Sequence, residues 1–207
     1  MGNKRKLMGA FLAGILATGN AAWGQTDVAA SFYRTFIGST SGNGTTQSAT
    51  ESDGGSIEVR HMFRPLAGVG LSYALNPDNQ TLSPQSGQCG IFCSNPTTKV
   101  SAKASEVAIV WVGTFKAGNL RPFVDAGLGA FIVAPSPAAN PALETDTIAR
   151  PAYVAGAGVD WGISPRVGLR LQYRDSFYLA PDLIPNYPQT GRYTQTGEPM
   201  VGVYFRL

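Results

Sequence analysis

Apolar side chains recur along this chain with a period of two. Segment 68–76 sends Val69, Leu71, Tyr73 and Leu75 to one side and Gly70, Ser72, Ala74 and Asn76 to the other. Segment 166–178 sends Val167, Leu169, Leu171 and Tyr173 one way, against Gly168, Arg170, Gln172 and Arg174. The last segment sets Val201, Val203, Phe205 and Leu207 against Glu198, Met200, Gly202, Tyr204 and Arg206. A two-residue period is that of an extended strand with two unlike faces. The pattern predicts eight strands, at 27–37, 54–64, 68–76, 103–116, 120–134, 150–163, 166–178 and 196–207. Segment 103–116 is apolar on both faces, with Val107, Ile109 and Trp111 against Ala108, Val110 and Val112, so periodicity does not orient it.

The connections between these strands alternate in length. Those at 65–67, 117–119 and 164–165 are tight, and those at 38–53, 77–102, 135–149 and 179–195 are long. An up-and-down meander places odd connections at one end and even ones at the other. Short turns at one end and long loops at the other mark an outer-membrane barrel. A tilted strand needs about 9–11 residues to cross the hydrocarbon, whereas soluble strands average about 5–6. The predicted strands have the membrane length. Aromatics gather near strand ends (Phe63, Tyr73, Phe115, Phe123, Phe131, Tyr153, Trp161, Tyr173, Phe177 and Tyr178), as interfacial girdles would require. The long loops are rich in Ser, Thr, Gly, Asn and Pro and are expected to be exposed and mobile.

Composition agrees with export. Lys4, Arg5 and Lys6 precede an apolar run from Leu7 to Thr18. A basic stretch followed by about a dozen apolar residues is a signal peptide, and such a run is shorter than the roughly 20 residues a spanning helix needs. Small residues at Ala22 and Gly24 predict cleavage before Gln25. Residues 1–24 are therefore assigned to the signal peptide and 25–207 to one barrel domain. The formal charge of +3 resides in the leader, and the rest of the chain is balanced. Its basicity is thus no argument for nucleic acid. Charged residues make up only 14%, against about a quarter in soluble domains. Cys89 and Cys93 lie in one polar loop of an exported chain and are expected to form a local disulfide that shapes it. A redox or metal pair would need partner ligands, and the single His is far away in sequence.

Eight strands enclose an interior just wide enough for side chains to fill. Its predicted lining combines glycines with charge. Arg34, Glu58, Arg60, Asp160, Arg170, Arg174 and Glu198 form the predicted interior network, with Glu106, Asp125 and Arg206 as further candidates. Buried charges must be paired. The meander order places Arg174 near Glu198, Glu198 toward Arg34, and Asp160 toward Arg170.

The run Gly156-Ala-Gly158-Val-Asp160-Trp-Gly-Ile-Ser-Pro165-Arg-Val-Gly-Leu-Arg170-Leu-Gln-Tyr173-Arg174 resembles the penultimate hairpin of the OmpA-like outer-membrane β-barrel superfamily. Met200-Val-Gly-Val-Tyr204-Phe205-Arg206-Leu207 is similar to the C-terminal strand read by the barrel assembly machinery, with Leu207 in place of the usual final Phe. The resemblance implies an all-β, eight-stranded antiparallel transmembrane barrel in the Gram-negative outer membrane, with both termini periplasmic. It also implies contact with membrane lipid and lipopolysaccharide. The peptidoglycan-binding domain of OmpA is not expected, since the chain stops at its eighth strand.

Some small outer-membrane barrels are lipid-modifying enzymes, which the resemblance links to a His with a Ser and an acid near the outer rim. His61 lies instead beside the turn at Pro65, on the face of Ile57, Val59 and Phe63. No catalytic residue, metal site or cofactor is expected, and no nucleic-acid partner. The reading is a monomeric, non-enzymatic barrel with a structural or adhesion-like role through its four long loops. A small pore, a lipid-modifying enzyme and a secreted lipocalin-like carrier are the alternatives.

Overall fold

The computed structural model describes residues 24–43, 45–84, 98–136, 147–181 and 190–207, with side chains described outside 45, 77–84 and 98–100. Residues 1–23 of the predicted leader 1–24, and the Cys89–Cys93 pair, lie outside the described residues.

Eight long strands follow one another: β1 Gln25–Arg34, β2 Asp53–Arg64, β3 Ala67–Pro84, β4 Thr98–Thr114, β5 Leu120–Pro135, β6 Ile148–Gly162, β7 Val167–Leu179 and β8 Tyr193–Arg206. Each pairs antiparallel with its sequence neighbours, and β1 closes on β8, with Val28 opposite Phe205. The result is a closed ring without a free edge, the condition for a sheet to cross lipid.

The ends of the barrel differ. At the end holding Gln25 and Arg206 the chain turns tightly. Ser164 Oγ accepts the Val167 amide at 3.0 Å, and Gly118 takes φ +64°, a left-handed conformation that suits glycine. The long connections lie at the other end. Part of the predicted 38–53 loop is itself folded: Thr40–Gly42 pairs with Thr45–Ala49, which adds to the top of β3. β3 and β4 also run past their predicted ends, pairing out to Leu82 opposite Thr98. The sequence there, from Pro77 to Thr81 above all, is polar at both parities, so the period-two signal vanishes while the hydrogen-bond ladder continues.

The predicted strand 27–37 is interrupted. β1 pairs with β8 as far as Tyr33 opposite Met200, and pairing resumes in the same register with Phe36 opposite Gly197. The lapse falls opposite Pro199, which has no N–H to donate. Thr35 turns to the other neighbour, its amide donating to the Ser52 carbonyl at 2.8 Å.

The outer wall is apolar around the ring. Ile109, Leu128, Val124, Trp111, Trp161, Leu171 and Val203 are all at least half exposed. A belt of this extent far exceeds the patches that soluble monomers expose, and lipid is the solvent that suits it. Of the aromatics predicted for the girdles, Phe63, Phe115, Tyr153, Trp161, Tyr173 and Phe177 do point outward. Phe123, Phe131 and Tyr178 do not: they are buried inside the barrel. Their positions near strand ends were compatible with either face, and alternation with outward Val124, Ile132 and Phe177 turns them in.

Candidate functional site

The interior is the chemically distinctive part of the molecule. Its side chains come from alternate positions of all eight strands and form layers. Under the long-loop end, Phe131 stacks on Tyr178 with ring centroids 3.9 Å apart and planes 14° from parallel. Ala102, Ala104, Val133 and Ala152 pack around them, and the Tyr178 hydroxyl is 2.8 Å from Thr196 Oγ1. Above, Gln47 reaches across the mouth and donates to the Pro181 carbonyl at 3.1 Å.

The next layer centres on Arg174. Its Nε donates to Glu198 Oε2 at 3.0 Å, its Nη2 lies 3.2 Å from Glu106 Oε1, and its Nη1 donates to Ser72 Oγ at 3.3 Å. One guanidinium on β7 thereby joins β8, β4 and β3. Arg suits the task because its planar fork carries several fixed donors.

Below it, Arg170 makes a bidentate pair with Asp160, Nε to Oδ1 at 2.7 Å and Nη2 to Oδ2 at 2.9 Å. Its remaining nitrogen, Nη1, crosses the lumen to Glu58 Oε2 at 3.1 Å. Glu58 is shared with Arg60, two positions along β2. Arg60 Nη2 lies 3.5 Å from Asp125 Oδ2, and Gln172 Nε2 donates to that same oxygen at 3.0 Å. Phe123 fills the space beneath, with the Arg60 guanidinium carbon 4.0 Å from its ring centroid. Nearest the tight turns, Arg206 Nε donates to Asp27 Oδ1 at 3.1 Å.

Glycine makes this crowding possible. A Cβ on Gly156 would stand 2.7 Å from Asp125 Oδ1, and one on Gly158 would strike the Phe123 ring. The apolar wall of Ala108, Val110, Val112 and Val154 faces the charged layers and packs against Phe123.

Of the residues predicted for the interior network, Glu58, Arg60, Asp160, Arg170, Arg174 and Glu198 are brought together here. Arg34 is not. It stands outside, its side chain 55% exposed, 3.3 Å from the equally exposed Glu51. Tyr33 takes the inward place, and the period of two sends Arg34 out with Phe32 and Phe36. Glu198 therefore pairs with Arg174, which it shares with Glu106, and not with Arg34. Sequence reasoning missed Asp27 and Gln172. Gln172 stood on the polar face shared with Arg170 and Arg174, which is a usable signal. Asp27 alternates with Ala29, a weaker one.

His61 points outward near the tight turns, its Nδ1 2.9 Å from Thr26 Oγ1. No carboxylate among the described residues is hydrogen-bonded to it. Among the described residues, no three His, Cys, Asp or Glu side chains are grouped to hold a metal ion. Arg60, Arg170, Arg174 and Arg206 each pair with a carboxylate across or along the lumen.

No protein-family model matches the sequence, and no curated protein matches it. Solved structures do resemble the fold. The outer membrane protein OprG from Pseudomonas aeruginosa aligns with a TM-score of 0.61 at 11% identity, over 89% of this chain and 96% of that one. Neisserial surface protein A aligns at 0.58 and 13% identity, over 87% and 96%. Ail, the attachment invasion locus protein of Yersinia pestis, solved with the heparin analogue sucrose octasulfate, aligns at 0.54 and 12% identity, over 89% and 99%. At these identities the likeness is one of fold, and the fold is that of the small eight-stranded outer-membrane barrels. The short-turn end is the periplasmic one in that topology, and both described ends of the chain lie there.

Proposed function

We propose that this barrel is a closed, non-enzymatic outer-membrane protein that supports the membrane and presents its long loops for interaction at the cell surface. The observation that carries the reading is the set of bridges across the lumen: Arg170 to Glu58, Gln172 to Asp125, and Arg174 to Glu106 and Ser72. With the Phe131–Tyr178 stack above them, they fill the cross-section where a conduit would have to run. The layered filling supports a structural role over a pore. The outward, periplasmic-side place of His61 supports a non-enzymatic role, because outer-leaflet chemistry would need its groups at the opposite end.

Two of the similar folds point the same way for the loops. One is named a surface protein, and one an attachment protein solved with a heparin analogue. In this reading the apolar belt takes lipid, the extracellular ends take lipopolysaccharide, the barrel is a monomer, and β8 is the strand read by the assembly machinery.

Planar-bilayer recording on the purified, folded protein tests the closure. A quiet baseline is expected, and stable large openings would overturn it. Bacteria displaying the protein test the surface role: attachment to host cells or matrix should fall when residues 85–97 are excised from an otherwise folded barrel. Attachment equal to that of cells without the protein would count against it.

A further inference from the structure

The two ends of the barrel differ in charge as well as in loop length. At the periplasmic end the acidic side chains all face inward and are engaged, Asp27 with Arg206, Asp160 with Arg170 and Glu58 with Arg60. The rim carries Arg64, Lys116, Arg121 and Arg166, none of which has a carboxylate within ion-pair distance among the described residues. Arg64, Lys116 and Arg166 are exposed, and Arg121 is half-buried, with Nη1 donating to Gln25 Oε1 at 3.3 Å.

Three of these cations converge. Arg64, Lys116 and Arg121 line a hollow of about 410 Å³ between the 65–66 turn and the 115–119 turn. Its base includes Met62, which packs on the apolar cluster below. The two turns are tied together, the Thr114 amide donating to the Leu66 carbonyl at 3.0 Å, so the hollow is a fixed part of the fold. Beside the cations stand Phe63, Leu66 and Phe115, the last two more than half exposed. Cations around a hollow with apolar side chains beside it match a ligand that is anionic at its head and apolar below. A soluble anion or an anionic polymer would leave the apolar part in water.

We propose that this periplasmic mouth holds the headgroup of an anionic phospholipid of the inner leaflet. Arg64, Lys116 and Arg121 engage its phosphate, and Phe63, Leu66 and Phe115 lie against its glycerol and upper acyl chains. The inference rests on the membrane reading given above.

The test uses the folded protein in phosphatidylcholine nanodiscs containing a minority of phosphatidylglycerol, with retained lipid counted by native mass spectrometry. Wild type should keep phosphatidylglycerol in preference to phosphatidylcholine. Arg64→Gln with Lys116→Gln should lose roughly fivefold of that preference per cation removed. Lys103→Gln with Arg192→Gln, at the other end, should keep it. Heat-dependent gel migration establishes folding, and Lys116→Gln alone, in an exposed turn, serves if the double variant does not fold. Equal retention of both lipids by wild type would overturn the proposal. So would an equal loss in the Lys103 and Arg192 variant, or displacement of the lipid by inorganic phosphate or soluble peptidoglycan fragments. A protein that does not float with vesicles would remove the membrane reading itself. One that floats but shows no lipid preference removes this inference alone.

Discussion

Arg170 and Asp160 face each other in register across β7 and β6, joined by two hydrogen bonds of 2.7 and 2.9 Å. Arg170 is 1% exposed, so its charge depends on its partners for compensation. Removing one partner of a buried pair costs about 3–5 kcal/mol, whereas replacing both by apolar groups is often neutral. Asp160→Leu should therefore lower the urea midpoint of tryptophan emission sharply, toward the smaller end of that range because Glu58 still holds Arg170. Asp160→Leu with Arg170→Met should recover most of the loss. A single variant as stable as wild type would show that the pair contributes nothing.

The Arg60–Phe123 contact is a cation held over a ring inside the barrel. Such contacts are worth about 2 kcal/mol when desolvated. Phe123→Leu should cost about that much, and Gly158→Val more, because its new side chain would occupy the ring's place and crowd the Leu171 carbonyl. Equilibrium unfolding of the two variants in the same lipid checks the order.

Ile109 and Leu128 are opposite each other on the outer wall. An arginine facing lipid near the bilayer centre costs about 2–4 kcal/mol, falling to about 0–1 near the interface. Ile109→Arg should be strongly destabilising and Ser105→Arg, closer to the extracellular rim, nearly neutral. Equal tolerance of both in a folding titration would argue that this wall meets water.

Arg34 and Glu51 form an exposed pair, of a kind worth about 0.2–1 kcal/mol. Arg34→Gln should barely move the unfolding midpoint, while Arg174→Gln, at a buried site shared with Glu198, Glu106 and Ser72, should move it greatly. The contrast separates the surface from the network with two substitutions of the same chemistry.

His61 contacts Thr26 and, among the described residues, no acid. His61→Ala should leave the lipid A pattern of expressing cells unchanged and the barrel folded. A changed pattern, read by mass spectrometry of extracted lipid A, would establish an enzymatic role that the geometry does not support.

Much of this architecture is legible along the chain because lipid imposes a simple rule. Outward side chains must be apolar, inward ones need not be, and a strand alternates the two. Val201, Val203 and Phe205 against Glu198, Gly202 and Tyr204 can be oriented by reading every second residue. The rule weakens where one of its solvents is missing. The upper halves of β3 and β4 and the 40–42 and 45–49 strands hold mostly polar residues at both parities, so they carried no period-two signal. Where the interior is apolar as well, as beside Phe123 and Phe131, parity is ambiguous until neighbouring strands fix it.

The sequence by itself determined the number of strands, their order, the end at which the turns are tight, and most of the charges that face inward. Alternation and loop length are local properties, and each can be read without knowing what lies across the barrel. Strand order already placed Arg174 near Glu198 and Asp160 toward Arg170, and only the tertiary structure decided which charges meet across the lumen. Arg170 reaches Glu58, 112 positions away, and Arg174 joins strands that are not its neighbours. Those choices depend on the stagger of closed strands and on the room left by Gly156 and Gly158, which exist only once the ring has closed.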